Sequence, residues 1–137
     1  MVRKEAQVVG HNPQRLVPPP DLQLQPETME KMRQLLSETL DSENAVRPTN
    51  GERQFAREQW LFHHLRIVVS FHLEEDQAKK DLIWEEIKKS QEEGAGVGFN
   101  PEQIACLNFL ILEERQKGQA RLKNLLQKLD AKMAQAK

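Results

Sequence analysis

The sequence predicts an all-α chain: an elongated antiparallel helical hairpin, coiled-coil-like, with a short additional helix before it and an extended Pro-rich arm at the start. Three observations carry that prediction. No Gly or Pro interrupts the chain from Glu52 to Glu93. The loop Gly94-Ala-Gly-Val-Gly98 is followed by Asn100-Pro-Glu-Gln103, which has the cap, the first-position proline and the capping-box glutamine of a new helix. The polar stretches on either side of the loop, Glu74 to Asp81 and Glu113 to Ala120, lie at equal distance from Val97.

Residues 1–25 form the arm. Pro13, Pro18, Pro19 and Pro20 fix φ and remove amide donors, so the segment is read as extended, with polyproline II character near Val17 to Asp21. It lacks P-x-x-P spacing, and with no Tyr in the chain it cannot be a P-P-x-Y ligand. Residues 26–46 are read as a short amphipathic helix opened by Pro26, with Met29, Met32, Leu36 and Leu40 on one stripe. Residues 49–136 are the hairpin, with its glycine-rich turn at 94–100. Its first arm begins at the capping box of Thr49 and Glu52 and is one long helix or two nearly collinear ones, with the break, if any, in the polar stretch. Its second arm runs to about Ala134, interrupted in pattern only by Gly118.

Folding the arms about Val97 brings Val69 opposite Leu125, Leu65 opposite Leu129 and Ile83 opposite Ile111, and sets one polar stretch against the other. Such a middle layer would fix register, since a slip brings like charges together. An unbroken helix from Pro101 to Ala134 would be about 50 Å long. A compact domain of this length has a radius of gyration of only about 14 Å, hence the expected elongation.

Composition removes several classes of function. The 137 residues carry a net charge of −1 and a single Cys, which excludes an internal disulfide framework and a cysteine-rich zinc module. The most apolar run, Ile104 to Leu112, is half the ~18 residues of a membrane span. The first ten residues lack the apolar core of a secretory signal, so the expected location is the cytoplasm, including cytoskeleton or cilium, or the nucleus.

No catalytic, metal or cofactor-binding residues are assigned. His63, His64 and His72 share a helix, but His72 lies about 12–13 Å of rise from the other two, where a shared ion needs one turn. Gly96-Val-Gly98 lacks the strand and third glycine of a dinucleotide fingerprint. Cys106 sits in the apolar run as an inert buried thiol. An enzyme is not expected.

What remains is surface. Trp60, Ile67 and Phe71 form a stripe facing away from the hairpin seam, and Phe109, Leu110 and Leu112 leave the seam near the loop. An apolar patch of this kind marks a contact site, so these six are the candidate partner-binding residues. From Arg115 to Lys137 there are seven basic residues and one acid, Asp130. A solubilised outer face is the plainest account of that imbalance. An acidic protein surface is the partner it would suit best, since no aromatics accompany the basics as a nucleic-acid platform requires. The chain thus reads as a non-enzymatic structural or adaptor subunit of a larger assembly of several protein chains, in a cytoskeletal or ciliary microtubule-associated version. The alternative is a regulatory binding module whose basic last helix engages nucleic acid or calmodulin.

Overall fold

A computed structural model describes residues 24–40 and 52–135. These residues form five helices: α1 (Pro26–Leu40), α2 (Glu52–Leu73), α3 (Gln77–Gly96), α4 (Pro101–Gln116) and α5 (Gln119–Gln135). The all-α class is as the sequence predicts. The arm up to residue 23, residues 41–46 of the first helical segment and the Thr49 half of the capping box lie outside the described residues.

Each arm of the expected hairpin is two helices, and both breaks fall in the matched polar stretches. In the first arm, Asp76 ends the extended link after Leu73 and caps α3, its carboxylate accepting the Lys79 N–H at 3.0 Å. In the second, Gly118 adopts φ +124°, a conformation glycine takes at no steric cost. Collinearity fails at the first break. The Trp60 indole N–H donates to the Ser90 carbonyl at 2.8 Å, and Phe71 meets Trp84 with ring centroids 6.2 Å apart. α3 therefore doubles back antiparallel along α2. The unbroken second-arm helix, on which the expected elongation rested, is likewise replaced by two shorter ones. A polar gap in an amphipathic helix permits either a straight solvated layer or a turn, and burial of α2 on two sides favours the turn.

The α2–α5 half of the hairpin keeps its predicted direction. Arg66, expected opposite Lys128, pairs instead with Asp130 at 2.8 Å, two positions along the same antiparallel track. Leu65, Val69 and Leu129 are fully buried, and Leu125 is partly buried against the core that they belong to.

The turn between the arms is shorter than 94–100. α3 continues through Gly96, and Gly98 at φ +98° reverses the chain before Phe99, whose N–H returns to the Gly94 carbonyl at 3.0 Å. The predicted start of α4 is present in full. Asn100 accepts from the Gln103 N–H at 2.8 Å, and the Gln103 side chain accepts from the Asn100 N–H at 2.9 Å.

α4 is the central helix, buried over most of its length and packed against α1, α2, α3 and α5. α1 lies along it in the same direction. The Gln25 N–H donates to Glu102 at 2.7 Å, and Arg33 pairs with Glu113 at 3.2 Å. Met32 and Leu40 are buried and Met29 and Leu36 partly so, which places the predicted α1 stripe against the core.

Candidate functional site

The apolar stripe expected to meet a partner is core. Trp60 and Ile67 are 7% exposed and Phe71 is fully buried; Leu110 and Leu112 are also buried, and Phe109 is half-buried. The cover is α3, which returns along α2 and seats Trp60 and Phe71. The sequence left this stripe facing outward because it took α2 and α3 as one rod, whose far half cannot cover its near half.

Gly94 makes the seat possible. It lies inside α3 and is buried, and a Cβ there would stand 2.6 Å from Trp60 Cζ2 and 2.8 Å from Ile104 Cδ1. Trp60 then stacks on His64 with centroids 4.8 Å apart and leans on Phe99 at 4.9 Å. The Arg57 guanidinium covers the Phe99 ring at 4.1 Å.

Beside that aromatic stack runs a buried polar chain joining three helices. His64 Nδ1 lies 2.9 Å from Ser90 Oγ of α3, and Nε2 lies 2.8 Å from Asn108 Oδ1 of α4. The Asn108 amide nitrogen in turn donates to Gln91 Oε1 at 2.9 Å. With the Asn108 oxygen as acceptor, His64 carries its proton on Nε2, and Nδ1 accepts from the Ser90 hydroxyl. Every polar atom of the ring is satisfied by a neutral partner. Burial, partly opposed by the Asn108 hydrogen bond, lowers the His64 pKa to about 4. This ring is a structural pin, neutral across the physiological range.

Two turns along α2, His72 is 6% exposed, and neither ring nitrogen has a hydrogen-bond partner among the described residues. Burial first, then the charges of Arg115 and Lys80, lower its pKa to about 4. Lys80 holds its ammonium 4.7 Å from the Phe71 ring centroid. Burial and Arg115 push the Lys80 pKa down, and Glu74 opposes them. The sequence analysis set the polar stretches that carry Lys80 and Arg115 opposite each other but left His72 out of them.

Cys106 is fully buried and its thiol is pushed up to about 11 by burial and by Glu102, so it is a packed thiol with little thiolate at neutral pH. Among the described residues no group of three His, Cys, Asp or Glu is placed to hold a metal ion. No described helix is long and apolar enough to cross a membrane.

An open groove of about 280 Å³ lies between α1, α4 and α5. Leu36, Leu40, Leu110, Ile111 and Leu125 floor it; Arg33, Glu113, Glu114, Arg121 and Lys128 are at its rim. Its carboxylates are neutralised in place. Glu113 is paired with Arg33, while Glu114 is held at 3.0 Å by Arg121 and 3.1 Å by Lys117. Of the predicted partner-binding residues, only Leu110 reaches this groove. Of the basic residues of the last segment, Lys132 is buried rather than outward, and Lys117, Arg121, Lys123 and Lys128 are exposed.

No protein family, curated protein or solved structure matches this chain.

Proposed function

We propose that the chain is a non-enzymatic structural or adaptor subunit that docks on an acidic protein surface through the outer face of α5 and the groove beside it. The observation supporting this is the charge balance of α5. Its sole acid, Asp130, is neutralised by Arg66 of α2. Lys123 and Lys128 stand exposed on the same helix, next to an apolar floor that one packed chain does not fill. The side chains that sequence alone offers to chemistry, His64 and Cys106, are occupied as packing elements of the core.

An acidic polymer such as the microtubule is the specific version of this reading. Co-sedimentation with stabilised microtubules tests it. Binding should weaken as salt is raised, because exposed charges act within a screening length. It should be lost in Lys123→Glu with Lys128→Glu at unchanged helical content. Absence of pelleting, with saturable binding to duplex DNA or calmodulin instead, favours the regulatory module; binding to none of these overturns the proposal.

A further inference from the structure

The groove beside α5 is the space between two helices that lie on a third. α1 and α5 both pack on α4. Half-buried Leu36 of α1 and Leu125 of α5 line the space from either side, over buried Leu110 and Ile111 of α4. Its volume, about 280 Å³, has room for about two side chains of leucine or phenyl size, since ~150 Å³ holds a benzene. A second hollow of about 580 Å³ shares Glu114, Arg121, Leu125 and Lys128 with it and continues along α5 to Ala131. Arg121, Leu125 and Lys128 stand at i, i+4 and i+7, as do Asn124, Lys128 and Ala131, so the two hollows follow one face of α5. From Arg121 to Ala131 that face is about 15 Å long, close to three helical turns.

Modes of peptide recognition differ in what they need from a surface. Strand addition needs a sheet edge, and no strand occurs among the described residues. A polyproline ligand needs an aromatic-lined groove, and no aromatic side chain lines either hollow among the described residues. A helix needs an apolar trough, and it brings its backbone hydrogen bonds already made, so none of its amides is stranded over the leucine floor. The charges at the rim fix the chemistry of its flanks. Arg33, Arg121 and Lys128 outnumber Glu113 and Glu114, and both carboxylates are already held, Glu113 by Arg33 at 3.2 Å and Glu114 by Arg121 at 3.0 Å. We propose that the groove takes an amphipathic helix of a partner protein, about three turns long, with leucine-type side chains on one face and carboxylates beside them. This rests on the docking surface assigned above, and adds to it the form of the partner and an apolar contribution that salt does not screen.

The experiment titrates the full chain with two synthetic peptides of about 14 residues and identical composition, followed by NMR of the leucine methyl groups. In one, leucines recur at spacings of three and four among glutamates and alanines and form a helical stripe. In the other, the same residues are ordered so that no stripe forms. The expected result is a saturable shift of the Leu36 and Leu125 methyls with the striped peptide and no saturation with the other. Leu125→Gln should weaken binding about tenfold or more, the scale of one apolar anchor. Ser37→Trp, which fills the groove from an exposed rim position, should do the same and decides the matter if Leu125→Gln is destabilised. Equal saturation by both peptides, or unchanged affinity in Ser37→Trp, means that charge alone docks; either overturns the helix and leaves the adaptor reading standing. Absence of saturation by either peptide overturns the proposal whether or not microtubules pellet, and pelleting then reports on the adaptor reading alone.

Discussion

His64 and His72 lie two turns apart on α2, both buried and both with a pKa near 4, yet the chain treats them in opposite ways. Around His64, α3 and α4 each contribute a polar atom to one ring nitrogen, and Gly94 clears the space that lets Trp60 stack on the ring. Around His72 the neighbours are an aromatic edge, with the Phe71 ring at 5.6 Å, and two cations. Desolvation costs both rings, but only at His64 is it offset by hydrogen bonds, and an unpaired buried group costs about 1–3 kcal/mol. The difference separates two jobs within one helix: the first end fixes how three helices meet, while the second buries an imidazole that no hydrogen bond from the described residues satisfies.

The largest effect should come from the aromatic residues that flank the two histidines. Trp60→Ala with Phe71→Ala removes one large side chain from each end, at about 3–5 kcal/mol apiece. The cooperative thermal transition should be lost, with reduced circular dichroism at room temperature. A variant that melts like the parent would mean that α3 does not cover α2 and that the stripe is outward after all.

Acid is next. Both rings bind protons less readily folded than unfolded, so the unfolded chain takes up more protons between pH 6.5 and about 4. Their contribution is complete above pH 6.5, is lost as pH falls through that window, and levels off below it. Each shift corresponds to about 3 kcal/mol. Urea midpoints at stepped pH check this, and His72→Leu should remove roughly half of the acid slope while leaving that of His64. An unchanged slope in His72→Leu would mean that only one ring is held neutral.

Glycine substitutions sharpen the contrast at smaller scale. Gly94→Ala intrudes on Trp60 and Ile104 in the packed end and should cost about 1–3 kcal/mol by overpacking. Gly118→Ala meets nothing within 4 Å, but its φ of +124° strains any side chain, for about 1 kcal/mol. Thermal midpoints should rank Gly94→Ala as the more damaging.

Much of this fold was legible in the residues. Pro26, the Asn100–Gln103 box and the inert Cys106 are local signals, and local chemistry decides them. The breaks at Glu74–Asp76 and Gly118 were visible as polar gaps, but the doubling back of α3 was not. A gap reads the same whether two helices run past each other or turn, and the choice lies in what covers Trp60 and Phe71. The His64 junction did leave a trace. Asn108 is the one polar residue inside the run Ile104 to Leu112, and a polar side chain at an apolar position calls for a buried partner. The unpartnered burial of His72 left none, because it depends on the turn.

The most direct test of the account compares His64→Leu and His72→Leu by urea unfolding at neutral pH. His64→Leu strands the Ser90 hydroxyl and the Asn108 carbonyl oxygen and should destabilise by about 1–3 kcal/mol. His72→Leu strands nothing in the described chain and replaces an unpaired imidazole with an apolar side chain, so it should leave stability unchanged or raise it by about 1 kcal/mol. Equal losses in the two variants would contradict the account, since His72 would then have a partner within the chain.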